Sequence, residues 1–204
     1  MTESIPPSER LDSAIVVRGL CKRFGAKVAV DGVTFSIPTG SVFGLIGPNG
    51  AGKTTSFSMM AGFLQPSEGE VRVLDHAPAE VGSLRGRLGV LPQDAILPAA
   101  DRVGEFLKHL ARMQGMSRAD AEGAAREGLR AVGGADWYKL KCGQLSHGMA
   151  KRVQLAQALL GTPEVILLDE PTAGLDPRIA YEVRRLIASY KGRATLVISS
   201  HNLA

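Results

Sequence analysis

Gly47-Pro48-Asn49-Gly50-Ala51-Gly52-Lys53-Thr54 fits G-x-x-x-x-G-K-[ST] at every fixed position. Its flanks match the setting that this pattern needs. Ser41 to Ile46 (SVFGLI) is a short apolar run bounded by Gly and reads as a buried strand. Thr54 to Phe63 (TTSFSMMAGF) reads as a helix with Met and Phe on its inner face. The order strand, glycine-rich loop, helix has a physical purpose. Glycines let the backbone curl so that successive N–H groups point at phosphate oxygens. The helix that follows adds unpaired N–H groups and the positive end of its dipole. Lys53 is expected to reach the β- and γ-phosphates of a nucleotide, with the Thr54 hydroxyl on Mg²⁺.

Outside this loop the composition is that of an ordinary globular chain. Its 204 residues are enough for one substantial core, with 45% hydrophobic and 22% charged residues and a net charge of +4. Lys and Arg are spread along the chain, so nucleic acid is not an expected partner. Cys21 and Cys142 have no metal-type spacing and are expected to be reduced thiols. The first residues, MTESIPPSERLD, are polar, carry two prolines and lack an apolar h-region. Residues 1–14 are therefore expected to form a flexible tail rather than a signal peptide. No apolar stretch approaches the ~20 residues of a membrane-spanning helix, so a membrane role has to come through a partner.

Along the chain, Ile15 to Arg18 reads as a strand. Val28–Val30 and Val33–Ile37 read as strands paired across an Asp31-Gly32 turn, and Val71 and Val73 mark a further strand. Leu88 to Leu91 is a short apolar strand leading to Pro92-Gln93-Asp94. Val103, Phe106, Leu107, Leu110 and Met113 then lie at helical spacing on one face. Ser117-Arg118-Ala119-Asp120 resembles a capping box that opens a helix ended by Gly133-Gly134. Ser146 could cap another helix, carrying Val153, Ala156, Leu159 and Leu160. Val165-Ile166-Leu167-Leu168 suits a central parallel strand buried on both faces. Ile179 to Ile187 reads as a helix and Thr195 to Ile198 as a buried strand. The expected architecture is α/β: a mostly parallel sheet flanked by helices, an N-terminal antiparallel β subdomain, and a helical subdomain inserted over about 95–160. Residues 15–204 are expected to form one domain.

In order, GPNGAGKTT, Gln93, LSHGM, VILLDEP, GLD and His201 resemble the motifs of the ATP-binding-cassette (ABC) ATPase family, and the resemblance covers nearly the whole chain. It implies a P-loop NTPase fold in which Gly47 to Thr54 and Thr55 bind the phosphates of ATP. An acid ending a buried apolar strand is costly unless it binds something, and Asp169 matches the family's Mg²⁺-binding aspartate. Glu170 resembles the catalytic carboxylate that orients and deprotonates the attacking water. Gln93 resembles the glutamine that reaches Mg²⁺ and that water. His201 resembles the switch histidine on the γ-phosphate, and Phe24 lies at the adenine-stacking position. Ala173-Gly174-Leu175-Asp176 matches the loop that crosses the dimer interface, and Arg152 fits the basic position after the signature.

Leu145-Ser146-His147-Gly148-Met149 departs from the family's LSGGQ, with His147 for the first Gly and Met149 for the Gln. Ser146 and Gly148, which contact the γ-phosphate across a dimer in the family, are retained. The His147 side chain is expected to point away from nucleotide. Similar Ser-x-Gly-Met forms occur in drug-type exporter ATPases, so the resemblance implies a subunit that hydrolyses MgATP as a homodimer or heterodimer. It drives transmembrane permease partners, for export, at the cytoplasmic face of the membrane. The competing reading is a soluble ABC ATPase in translation or DNA maintenance. The long coiled coil or second cassette of those proteins is not in this sequence, and neither is the N-K-x-D motif of a GTPase. Family members continue with a helix and further strands after the switch histidine, whereas this chain stops three residues beyond it. The expectation is a truncated C-terminal part, a complete catalytic inventory and weaker dimerisation.

Overall fold

A computed structural model of the chain describes residues 12–201. Its strands are β1 (Ser13–Phe24), β2 (Lys27–Pro38), β3 (Val42–Ile46), β4 (Glu68–Val73), β5 (Leu88–Leu91), β6 (Val165–Asp169) and β7 (Thr195–Ser200). β2, β1 and β4 form an antiparallel sheet in that order, and β3, β7, β6 and β5 form a parallel one. The expected α/β architecture is present, with both sheets and the helical insertion.

The continuous apolar run of β6 has a direct cause. Side chains alternate across a strand, and each side of β6 faces a different core. Val165 and Leu167 join Ile15, Val17, Leu20 and Ile37 of the antiparallel sheet and Phe57, Met59 and Met60 of α1 (Lys53–Met60). Ile166 and Leu168 join the helical insert instead, beside Leu107, Leu129, Val153 and Leu155. Every residue of β6 is buried. Each such aliphatic side chain stabilises the fold by roughly 1.5–3 kcal/mol relative to exposure.

The insert is built from α2 (Val103–Met113), α3 (Arg118–Ala131) and α4 (His147–Ala158). Ser117 caps α3 by accepting the Asp120 N–H at 3.2 Å. Gly133, at φ 68°, ends it beyond Val132. The buried face of α3 is Ala121, Ala125, Gly128 and Leu129, and a Cβ at Gly128 would lie 3.6 Å from the Ala156 carbonyl oxygen of α4. Gly104 in α2 lies under the ring of Tyr138, where a Cβ would be 2.4 Å from a ring carbon. Beyond β6, α5 (Pro177–Ala188) starts at Asp176, whose carboxylate accepts N–H groups of Arg178 and Ile179 at 3.1 and 3.0 Å.

Four expectations need correction. Val28–Val30 and Val33–Ile37 are parts of one strand, β2, which pairs with β1. Gly32, at φ 62°, marks a bulge: between the pairs Leu20–Val33 and Lys22–Val30, β2 carries one residue more than β1. β3 is not buried on both faces. It is the edge strand of its sheet among the described residues, with Val42 and Ile46 exposed. On α2, Val103, Gly104, Leu107 and Ala111 form the buried face, while Phe106 and Leu110 are half-buried and Met113 is exposed, because α3 and Tyr138 cover the helix from the Gly104 side. β1 begins at Ser13, and the Asp12 carbonyl accepts the Thr39 N–H at 2.8 Å, so the expected tail boundary at 14 moves back. Residues 1–11 and 202–204, including the rest of that tail and the end of the chain, lie outside the described residues.

Candidate active site

The glycine-rich loop leaves β3 and turns into α1 through two positions with left-handed backbone. Gly50 and Gly52 both have φ 84°. At Gly52 a Cβ would also lie 2.4 Å from the Ala29 carbonyl oxygen of β2, so only glycine fits. No side chain caps the start of α1, and no acidic residue lies in its first turn. Its N-terminal amides therefore remain available to an anion. The Lys53 ammonium donates to the carbonyls of Gly47 at 2.7 Å and Pro48 at 3.0 Å, folding back over its own loop.

A cleft of about 280 Å³ opens over this loop. Asn49, Gly50, Gly52, Lys53, Thr54, Thr55, Gln93, Glu170 and His201, all singled out in the sequence, line it together with Lys27, Ala29 and Ala173. Phe24 is half exposed and stands at the hairpin where β1 turns into β2, paired with Lys27. Ser146 and Gly148 do not line the cleft.

The parallel register brings the acids into place. Asp169 pairs with Ser199 across β6 and β7. Asp169 is 2% exposed, and the Ser199 hydroxyl donates to its Oδ1. The next residue, Glu170, has φ 48°, a left-handed conformation that costs a non-glycine residue about 1–2 kcal/mol. Its N–H donates to the Ser199 carbonyl at 3.1 Å. Glu170 Oε1 accepts the His201 backbone N–H at 2.8 Å and lies 2.7 Å from His201 Nδ1. Glu170 and His201 are thus already joined. Thr54, Gln93 and Asp169 offer oxygen atoms only, the donor set that suits a hard cation such as Mg²⁺. Among the described residues no cluster of three or more His, Cys, Asp and Glu could hold a metal by itself.

The signature element forms the start of α4. Ser146 is its N-cap and accepts the Met149 N–H at 3.3 Å. The His147 ring lies against Gly174, where a Cβ would be 2.9 Å from Nε2, and Gly148 lies against Ile179. Arg152 packs inside the insert, with its guanidinium 4.6 Å above the Trp137 ring and Nη1 donating to the Val132 carbonyl at 3.3 Å. Ser199 and Lys151 escaped the sequence reading. Ser199 had one usable signal, a hydroxyl two residues before His201 on a buried strand. Lys151, 7% exposed, had none. Burial pushes its ammonium pKa down, and Asp169, Asp94 and Glu170 pull it back up.

A parallel sheet that feeds a glycine-rich loop into an uncapped helix, with acids at the end of a neighbouring strand, defines a P-loop nucleotide-binding protein. The family model described as ABC transporter matches residues 30–173, and the chain belongs to that family. It is 37% identical over 186 residues to Nod factor export ATP-binding protein I of Burkholderia lata, covering 90% of this chain and 61% of that one. It is 38% identical over 188 residues to daunorubicin resistance ATP-binding protein DrrA3 of Streptomyces coeruleorubidus, covering 92% and 60%. The chain spans about three fifths of the length of these curated relatives. Among solved structures it resembles cbiO1 from Clostridium perfringens, part of the ABC transporter complex cbiONQ. The TM-score is 0.78 at 27% identity, covering 94% of this chain and 79% of that one. Among the described residues no helix is long and apolar enough to cross a membrane.

Proposed function

We propose that this chain is the ATP-binding and ATP-hydrolysing subunit of an ABC exporter, closing as a dimer around two MgATP molecules. The observation that carries the reading is the division of the site. Lys53, Thr54, Gln93, Glu170 and His201 share one cleft, while Ser146 and Gly148 start a helix elsewhere. A second subunit, either another copy or a paralogue, brings its own Ser146 and Gly148 equivalents to the open side of the cleft. The relatives named for Nod factor export and daunorubicin resistance favour export as the direction.

In this reading the loop amides and Lys53 bind and orient the phosphates, and Phe24 stacks on the base. Thr54, Gln93 and Asp169 would hold Mg²⁺, which would supply charge neutralisation on the phosphate oxygens. Glu170 accepts the proton of the attacking water. His201, held through Nδ1 by Glu170, presents its other edge to the γ-phosphate and stabilises charge there. Transmembrane permease partners take up the motion of closure at the cytoplasmic face of the membrane.

The test uses the full chain carrying Glu170→Gln, with MgATP binding measured by calorimetry and assembly by light scattering. MgATP is expected to bind and to shift the chain from monomer to dimer, and Ser146→Ala with Gly148→Asp is expected to abolish the shift alone. A chain that binds MgATP and stays monomeric at saturation refutes the shared site, and one that does not bind it refutes the nucleotide assignment.

A further inference from the structure

Besides Lys53, a second lysine faces the cleft over the glycine-rich loop. Lys27 opens β2, is exposed, and lines the cleft together with Ala29. Its place is fixed from two sides. Across the hairpin Lys27 is the partner of Phe24, and directly opposed residues of an antiparallel pair share one face. Between the pairs Lys22–Val30 and Arg23–Val28, β2 carries one residue more than β1. That extra residue, Ala29, sets its carbonyl against Gly52 of the loop. Lys27 therefore stands between the Phe24 ring and the phosphate-binding loop.

The neighbouring cations are already engaged. Lys53 donates to the carbonyls of Gly47 and Pro48. Lys22 Nζ donates to the Gln65 carbonyl at 2.7 Å and lies 5.3 Å from the centre of the Phe24 ring. Arg23 Nε lies 3.7 Å from Glu68 Oε1. The Lys27 ammonium, by contrast, has no hydrogen-bond or ion-pair partner among the described residues.

We propose that Lys27 is a nucleotide-binding residue whose ammonium pairs with the α-phosphate, between a base stacked on Phe24 and the phosphates held by the loop. The proposal rests on the reading of the cleft as the ATP site. Lys53 and the loop amides take the β- and γ-phosphates, and Phe24 takes the base, so the α-phosphate is the anionic group left between them. ADP and ATP both carry it, and the contact contributes equally to the binding of either. Because Lys27 is exposed, the contribution is modest and is screened by salt.

The experiment uses the full wild-type chain, Lys27→Met and Lys27→Arg, with Kd measured by calorimetry for MgADP and for a non-hydrolysable MgATP analogue. Lys27→Met is expected to raise both Kd values about three- to fivefold, the effect of losing one exposed ion pair. Lys27→Arg is expected to stay within about twofold of wild type. At about 1 M salt, where charges are screened within ~3 Å, wild type and Lys27→Met are expected to converge. Wild-type affinity in Lys27→Met overturns the proposal. So does a loss confined to the ATP analogue, which would place the ammonium on the γ-phosphate, and so does a loss that arginine does not repair or that salt does not reduce. Should Lys27→Met fail to fold, Lys27→Gln carries the same comparison. A wild-type chain that binds neither nucleotide refutes the proposed function itself, a result separable from any difference among the variants.

Discussion

In the helical insert, α3 begins at a serine cap, ends at a glycine, and sets Gly128 against α4. At the ends of β3, β6 and β7 the chain behaves differently. The helix after the glycine-rich loop has no side-chain cap, Glu170 sits in left-handed backbone, and two carboxylates are buried. Both regions share the same strand, β6, whose alternate side chains support one core each. The insert is closed by its own caps and packed rings, whereas the sheet end sets uncapped helix amides beside two buried carboxylates held by Ser199 and His201. Uncapped amides and buried acids, gathered on three neighbouring strand ends, mark the candidate site.

That contrast can be broken experimentally at either end. The largest effect is expected from Glu170→Gln, which should lower turnover roughly 10²–10⁴-fold while MgATP binding persists, read by steady-state hydrolysis and calorimetry. Near-normal hydrolysis by that variant would place the base elsewhere. In the insert, Gly104→Ala drives a methyl into the Tyr138 ring and should destabilise the chain by about 1–3 kcal/mol, read by urea unfolding. Nucleotide affinity is expected to change far less than stability, and the reverse pattern would erase the distinction between the regions. The smallest effect concerns Tyr138, whose hydroxyl donates to Glu122 at 2.6 Å. Burial, then the bond to Glu122, pushes its pKa up to about 12 from an ordinary 10.0. The unfolded chain thus gives up this proton first, so its contribution to stability is complete below pH ~10 and is lost as pH rises towards the folded value. Tyr138→Phe should flatten the fall of stability across that window, and an unchanged slope would remove Tyr138 as its source.

How far the sequence reached differs between these regions for physical reasons. The loop was legible because phosphate recognition demands Gly, Lys and Thr at fixed spacing. The central place of β6 was legible because only a strand buried on both faces tolerates four consecutive aliphatics. Ser117 and Ser146 were legible as caps because their chemistry is local. Asp31-Gly32 misled, since the same dipeptide serves a hairpin turn and a bulge, and partner strands decide between them. The edge position of β3 was invisible, because strand order is set by crossovers far along the chain. Lys151 was invisible for a different reason. A lysine on a helix reads as a solvated residue, and the acids whose charges act on its ammonium lie at 94, 169 and 170, far from it in sequence.

One register carries a consequence for how activity should be read. Ser199 lies on β7 and His201 directly follows the strand's last residue, Ser200; the first is bonded to Asp169 and the second to Glu170. A slip of β7 by a single residue would turn Ser199 to the opposite face and displace His201 at the same step. Both contacts are therefore made together or lost together. A damaged sample of this protein should behave as a mixture of fully competent and fully silent molecules, so its residual rate counts correctly paired chains and its affinity for ATP, measured from the active fraction, stays unchanged.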